Sequence, residues 1–316
     1  MASVYETLVT HPNSTVSSLM RQTRLSRPTI TTLLDSLTEM GLVAPQGAEG
    51  SVGRPAETWA PRKDAGVVIG VDLLQHSVLL AVAQLDGEII ETDHRSGLSV
   101  DSSVRFRNVL DLISKHVTEG TAGPPRAIVI STTGTVDLDG RLMRSDAVPQ
   151  WEGFDLGKEL SQRLRLPVRI ENDVNAAAFG EFALRCGDGS LSPGDDLLLI
   201  ALSRAIVTGL VMNGKLHRGH RQNAGEVGLR IVDGVGLSPG SLARAAESIG
   251  TVSAVLDPAS IVLTLPNRES PGILAEIIEH LRTARESSAA ELNLEVSRLG
   301  QGSAIVGALS LALQEA

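Results

Sequence analysis

The stretch Glu171-Asn-Asp-Val-Asn-Ala-Ala-Ala-Phe-Gly-Glu181 indicates the fold of this chain, because it puts polar side chains where a strand gives way to a helix. The preceding run, Leu166-Pro-Val-Arg-Ile170, is typical of a short strand, and the alanines favour a helix. The residues leave two interpretations of Asp173 open. It is either a group that binds or reacts with a ligand, or the N-cap of a helix that begins at Val174.

Apolar strands alternate with helical segments on both sides of this motif, from residue 66 onward. The clearest strands are Gly66–Asp72, Ser77–Ala83, Arg126–Ile130 and Leu197–Leu202. Hairpins followed by helices, occurring twice, predict an α/β body of two lobes around a cleft. We expect the body to occupy residues 65–316, a separate domain to occupy residues 1–64, and 61–65 to be the linker.

Residues 1–41 have the periodicity of three short helices. The first carries Tyr5, Leu8 and Val9 on one face, and Thr15 can cap the second, which carries Val16, Leu19 and Met20. The third runs from an N-cap at Ser26 to Gly41, with Pro28 in its first turn and the apolar face Ile30, Leu33, Leu34 and Leu37. This order predicts a helix-turn-helix, whose third helix enters the DNA major groove.

The polar face of the third helix supplies the candidate DNA contacts. They are Arg24, Ser26, Arg27, Thr29, Thr31 and Thr32, with Arg21 and Arg24 placed to meet phosphates. The residues also fit an ordinary three-helix bundle with a solvated threonine face.

A glycine-rich hairpin is predicted after the third helix, in residues 42–59. Its tip contains Gly53-Arg54-Pro55, where Gly53 permits close approach and Arg54 can enter a narrow, A·T-rich minor groove. Such a hairpin is the wing of a winged helix. The alternative is a hairpin turn that happens to contain an arginine.

Composition limits the classes of protein that fit. The chain has 316 residues, a formal charge of −9 and one cysteine, Cys186, which excludes an internal disulfide. Residues 1–64 hold six basic and six acidic side chains, so the net negative charge lies entirely in the body. This difference in charge indicates that the two parts have different partners. Neither a membrane-spanning run nor a signal peptide is recognisable, and we expect a soluble cytoplasmic protein.

An ordered set of motifs resembles the ROK family of repressors and sugar kinases. The set is Gly53-Arg54-Pro55, Val71-Asp72, Thr133-Gly134 through Gly140, Pro149-Gln-Trp151, Glu171–Ala177, Asn223–Gly228, Leu256–Val262 and Gly307-Ala308. The resemblance implies an actin-like (ASKHA-type) body, with one lobe at about 65–172 plus 300–316 and the other at about 173–299. A winged helix in front is typical of the transcription factors of the family.

The resemblance also implies roles for polar residues of the cleft. In the kinases of the family, the aspartate that matches Asp173 removes a proton from a sugar hydroxyl. Thr133, Gly134, Asn172, Asp173 and Glu226 match sugar-site positions and are the candidate effector-binding residues. Two polar partners of the family site are replaced, by Leu229 and Ala243. We therefore predict that Asp173 is a former base, kept for binding or capping, and we assign no catalytic residue.

The nucleotide and zinc sites of the family are both altered. The resemblance places the glycines of three nucleotide turns in Asp72–Ser77, Ser203–Gly209 and Thr264-Leu265, where this chain has bulky side chains and keeps only Gly209. Side chains there remove the backbone cradle that phosphates need. Leu229 stands where the family has a zinc-binding histidine, and residues 234–241 contain no cysteine. Only His217 and His220 remain nearby as possible zinc ligands. We predict neither a cofactor nor a metal.

These features together predict a DNA-binding transcriptional regulator, a repressor rather than an activator, and not an enzyme. We expect a homodimer or a dimer of dimers on a palindromic, A·T-biased operator, a sugar or sugar derivative as effector, and no membrane partner. One alternative is a regulator without a small-molecule effector, whose body serves dimerisation or protein contacts. The other is an active carbohydrate kinase.

Overall fold

The first part of the chain folds into three helices and a small sheet. The computed structural model describes residues 2–49, 56–120, 123–145, 149–202, 205–227, 229–230, 239–264, 275, 279 and 293–316. The first elements are α1 (Ala2–Thr10), β1 (Ser14–Thr15), α2 (Val16–Thr23), α3 (Arg27–Glu39), β2 (Val43–Glu49) and β3 (Ala56–Pro61). The strands pair in the order β1-β3-β2, all antiparallel, so the winged helix-turn-helix arrangement is present.

Local hydrogen bonds set the helix ends of this head much as the sequence predicts. Ser18 N–H donates to the Thr15 hydroxyl at 3.2 Å, and Thr29 N–H donates to the Ser26 hydroxyl at 3.4 Å. The third helix ends at Glu39, and Gly41 follows its capping residue. Bonds from 41 N–H to the 38 carbonyl and from 42 N–H to the 37 carbonyl close this end.

The head has its own apolar core. Its fully buried members include Val4, Leu8, Leu19, Ile30, Leu34 and Leu37. Tyr5 and Val9, predicted on the core face of the first helix, are only half-buried, because Val4 takes the central position. The wing tip, with Gly53 and Arg54, lies outside the described residues.

The first lobe of the body is built on a five-stranded sheet. Its elements are β4 (Val67–Leu73), β5 (Ser77–Gln84), β6 (Ile89–Ser96), α4 (Ser102–Glu119), β7 (Pro125–Thr132), β8 (Thr135–Val136), β9 (Leu142–Arg144), α5 (Leu156–Leu164) and β10 (Val168–Asn172). The sheet order is β10-β7-β4-β5-β6, with β10, β7 and β4 parallel. Strands β8 and β9 form a separate hairpin.

The second lobe carries another sheet. Its elements, with the last helix of the described chain, are α6 (Asp173–Gly187), β11 (Leu197–Leu202), β12 (Ala205–Met212), β13 (Lys215–Leu216), β14 (Leu229–Arg230), α7 (Pro239–Leu256), β15 (Ser260–Thr264), β16 (Leu294–Val296) and α8 (Ser303–Glu315). The order is β13-β12-β11-β15-β16, and β14 also pairs with β12.

Helices α6 and α8 pack against each other between the two sheets. Strand β4 shows why, since both of its faces are buried. Val67, Ile69, Val71 and Leu73 share a core with α4 and α5, whereas Val68 belongs to a second core with residues of α6, α8 and the second sheet. The two helices therefore pack against the facing surfaces of both sheets.

In the described chain, Leu85 and Arg126 of the body contact the head. Leu85, in the turn between β5 and β6, packs against both the head core and the second body core. The Arg126 guanidinium donates to the Met40 carbonyl of the head at 3.5 Å and to the Ala65 carbonyl of the linker at 3.0 and 2.6 Å. A cavity of 780 Å³ lies between head and body, with Tyr5 and Leu37 among its lining residues.

Within the described part of the chain, no helix is both long and apolar enough to cross a bilayer.

Candidate functional site

The carboxyl ends of three parallel strands bring the polar residues of the first lobe together. Asp72 on β4 lies opposite Ser131 on β7, which lies opposite Glu171 on β10. Thr133 and Asp173 follow these strands and emerge at the same edge of the sheet. Ligands of open α/β sheets bind at this kind of edge, so the cluster is a candidate ligand site.

Asp173 is held by two hydrogen bonds. The Thr133 hydroxyl donates to Oδ2 at 3.2 Å, and Val174 N–H donates to Oδ1 at 2.9 Å. Burial and the negative charge of Asp72 raise the pKa of Asp173 to about 7, although both hydrogen bonds oppose the rise. A carboxyl group with this pKa can take a proton from a hydroxyl or accept a hydrogen bond from it.

Asp72 is a second carboxyl group of the cluster and is almost fully buried, with a relative exposure of 2%, whereas Asp173 is half-buried. Burial raises the pKa of Asp72 to about 6, and the Ser131 hydroxyl, which donates to it at 2.7 Å, limits the rise. Two neighbouring carboxyl groups thus both have pKa values above the ordinary value of 3.8.

Asn172, not Asp173, caps the helix that follows β10. Its backbone is extended, and its side-chain oxygen accepts from Asn175 N–H at 2.9 Å, whereas Asp173 is already the first helical residue. The capping interpretation of Asp173 is therefore wrong, because Asn172 reaches the N–H three residues on.

Gly134 is fixed beside this cap. The Asn172 side-chain amide donates to the Gly134 carbonyl at 2.7 Å. The φ of Gly134 is +115°, and a Cβ there would lie 1.9 Å from the Arg144 carbonyl oxygen. Only glycine fits at this position. The bonds of Thr133 to Asp173 and of Asn172 to Gly134 bring four of the five predicted effector residues into one cluster.

Glu226, the fifth predicted effector residue, comes from the other lobe. It is exposed, on the loop that follows β13, and Gly225 beside it accepts a hydrogen bond from Thr208 N–H at 2.9 Å. Among the described residues, no hydrogen bond joins the Glu226 carboxylate to the other four.

The first turn at the nucleotide positions has bulky, exposed side chains. Leu74, Gln75 and His76 connect β4 to β5, and the Leu74 side chain is 41% exposed. Below the turn, the buried Arg105 guanidinium donates to the carbonyls of Leu74 and Gln75. Of the other two turns, 203–204 and Leu265 lie outside the described residues.

The positions that match the family's zinc site hold no ligand set in the described chain. Among residues 2–49, 56–120 and the other described ranges, no three His, Cys, Asp or Glu side chains are grouped to hold an ion. Ala243 is helical in α7, and 231–238 lies outside the described residues.

The predicted DNA-binding residues on α3 and in the turn before it are exposed. Arg24, Ser26, Arg27, Thr29, Thr31 and Thr32 are all exposed, while Ile30 between them is buried. The Arg27 guanidinium donates to the Ser17 hydroxyl at 3.3 Å, so it lies over the junction of α2 and α3. The face is short, polar and free of bulky apolar groups, as base-edge contacts need.

Comparison with known proteins supports both parts of this architecture. The ROK family profile matches residues 68–241, which is more than half of the chain. The chain belongs to the ROK family. A second profile, described as sugar-specific transcriptional regulator TrmB, matches residues 2–58, the head.

Curated relatives of the chain include repressors and kinases. The xylose repressor of Bacillus subtilis is 26% identical over 226 residues, which cover 70% of this chain and 58% of that protein. The glucokinase of Halalkalibacterium halodurans is 27% identical over 167 residues, 51% of this chain and 48% of that protein. The chain thus spans about half to three fifths of the length of these two relatives.

A solved structure extends the comparison to the whole chain. A ROK family transcriptional regulator, a homologue of the E. coli MLC protein, matches with a TM-score of 0.79 over 99% of this chain and 95% of that one. At 18% identity this likeness shows the fold, a winged helix in front of a ROK body.

One ROK-motif residue that the sequence reading passed over is Glu171. It is buried, with a relative exposure of 3%, and its carboxylate binds Arg169 and Arg218. Arg169 and Glu171, two residues apart in β10 and so on one face of it, are the signal that could have found the ion pair.

Proposed function

We propose that this protein is a DNA-binding transcriptional repressor whose ROK body senses a sugar. The exposed N-terminal turn of α3, in a winged head joined to a ROK body, carries the proposal. Relatives named xylose repressor and the TrmB profile on the head support it. We place its action in the cytoplasm, where the chromosome is.

The proposed DNA contacts are the exposed residues of α3 and the wing. Arg27 and Thr29 meet base edges, Arg24 meets a phosphate, and Arg54, next to Gly53, enters the minor groove. A homodimer, or a dimer of dimers, presents two such helices about 34 Å apart to a palindromic, A·T-biased operator.

Arg27→Ala and Thr29→Ala are each expected to weaken operator binding by about 1–3 kcal/mol, since one base-edge contact is lost. Random-sequence DNA should lose less affinity. The experiment captures genomic fragments with the purified protein and then titrates the enriched sequence and random DNA at one salt concentration.

Arg163→Ala is the matched control, because it removes the same charge from an exposed site on α5. It should leave both affinities unchanged. Equal losses on operator and random DNA for Arg27→Ala and Thr29→Ala would make these residues phosphate contacts instead.

The proposed effector is a monosaccharide or its derivative, bound between the first-lobe cluster and Glu226. Hydroxyl, amide and carboxyl groups converge there, and a sugar can satisfy them with its hydroxyls. Xylose is the first compound to test, since the curated repressors carry its name. If no sugar changes operator affinity, a body used only for dimerisation or protein contacts is the better account.

A kinase is the second candidate, favoured by the pKa of about 7 at Asp173. We expect no ADP release from ATP with xylose, glucose, amino sugars or polyols, because the described first nucleotide turn has no glycine cradle. A coupled ADP assay with the H. halodurans glucokinase as positive control checks this. Sugar-dependent ADP release that disappears in Asp173→Asn would establish an enzyme.

A further inference from the structure

A continuous stretch of the second lobe, residues 213–227, connects the head to the effector site. At its beginning, Asn213, Gly214, Lys215, Leu216 and Arg218 line the 780 Å³ cavity whose other wall includes Tyr5, Leu37 and Leu42 of the head. At its end it carries Glu226. Leu37 belongs to α3, the helix whose opposite face is the proposed DNA surface.

Arg218 fastens this segment near its middle to the first lobe. Its Nε and Nη2 donate to Glu171 Oε2 at 2.8 and 2.6 Å. Its own carbonyl accepts from Ala224 N–H at 3.0 Å, which ties the two halves of the segment together. The ion pair joins the segment to the first lobe, while Gly225 beside Glu226 is held to β12 of its own lobe by the bond from Thr208 N–H at 2.9 Å.

The Glu171 carboxylate joins four parts of the body. Oε2 also accepts from Arg169 at 2.9 Å, and Arg169 in turn donates to Glu315 on α8 at 2.6 Å. Oε1 accepts from Asn172 N–H and from the Asn175 side chain, both at 3.2 Å. These last two donors belong to the turn that carries Asp173.

Burial makes this carboxylate sensitive to the loss of a partner. A buried charged group loses stability when a hydrogen bond is broken. If Arg218 moves, we therefore expect the Glu171 carboxylate and the other residues bonded to it to move as well. Arg169 and Arg218 both line the cavity below the head, so such a shift also moves the wall that faces Tyr5 and Leu37.

We propose that Glu171 couples the effector site to the head by clamping the 213–227 segment through Arg218. When the Glu226 end of the segment moves towards a bound sugar, Arg218 moves with it and the cavity wall below α3 changes shape. Glu171 and Arg218 act as positioning residues, and neither needs to touch the sugar. This role rests on the proposed function, but the clamp itself is a property of the free protein.

The test is hydrogen exchange of the full chain without DNA or sugar. Arg218→Ala should speed exchange in peptides from 213–227 about tenfold, because the segment opens locally once the clamp is lost. Peptides from 2–10 and 37–44 of the head should also exchange faster. Arg218→Lys keeps the charge but loses the two-nitrogen contact, so its effect should be smaller and in the same direction.

Arg163→Ala, an exposed arginine paired with Glu159 on the same helix, is the control and should change none of these peptides. Unchanged exchange in 213–227 would overturn the clamp. Faster exchange there with an unchanged head would overturn the coupling. Since the measurement uses neither operator nor sugar, failure to bind DNA would count against the proposed function alone.

Discussion

Gly307→Ala is expected to destabilise the body by about 3 kcal/mol, at the upper end of the usual cost of overpacking a core. A Cβ at Gly307 would lie 1.7 Å from the Ala176 carbonyl oxygen, which belongs to the backbone of α6 and cannot rotate away. A Cβ at Gly180, on the other helix, would lie 2.5 Å from the Ser303 carbonyl oxygen. The two helices touch backbone to backbone, and any side chain between them forces them apart.

Gly302→Ala is the matched control for this prediction. Gly302 immediately precedes the same helix with φ −84°, and a Cβ there has nothing within 4 Å. The Tm of Gly307→Ala should be lower than that of the parent by roughly 6–12 °C, since a domain of this size loses about 2–4 °C per kcal/mol. The control should stay within about 0.5 kcal/mol of the parent. Equal stability of the two variants would show that the helices do not pack this closely.

Asp173→Asn is expected to stabilise the protein at pH 8 and to lose that advantage in acid. The folded-state pKa of Asp173 is about 7, against an ordinary value of 3.8, so the folded protein holds this proton more tightly than the unfolded chain does. The contribution of the Asp173 carboxyl group to the free energy of unfolding is therefore fully present below pH 3.8 and is lost as the pH rises through 7. Asparagine is neutral throughout and avoids the loss.

At pH 8 the free energy of unfolding of Asp173→Asn should exceed that of the parent by about 2 kcal/mol. The upper limit is roughly 4 kcal/mol, because each unit of the pKa shift corresponds to about 1.4 kcal/mol. The Thr133 hydroxyl can turn to accept from the new amide, so the contact at Oδ2 is kept. Urea unfolding at pH 8, 6 and 4.5 measures the difference between variant and parent. Asp111→Asn, on the exposed side of α4, controls for the change in net charge. A destabilised Asp173→Asn at pH 8 would mean that the site favours the charged carboxylate.

Local signals predicted much of the fold. Thr15 and Ser26 cap their helices as expected, because each cap bonds an N–H only three residues away. The strands of the wing and the two-lobed body also follow from hydrophobic period and turn residues. These interactions lie within a few residues of each other, so they can be read from the sequence.

The features that sequence reasoning missed depend on residues far apart in the chain. Arg218 reaches Glu171 across 47 positions, and Gly307 meets Ala176 only when both sheets are in place. The choice between Asn172 and Asp173 as the cap was local but ambiguous, since both side chains can accept the same N–H. The family resemblance predicted that Thr133, Gly134, Asn172 and Asp173 belong to one site, but it did not predict the residues that hydrogen-bond to them.

The position of α8 between the two sheets has a consequence for synthesis on the ribosome. The head core closes with Ala65, and Leu85 from the body packs against it, so the winged helix can fold while most of the chain is still unmade. The second body core instead draws on Val68 at one end and Ala312 at the other. Until α8 leaves the exit tunnel, the apolar residues that it covers stay exposed, and exposed apolar surface makes a partly folded chain prone to aggregation.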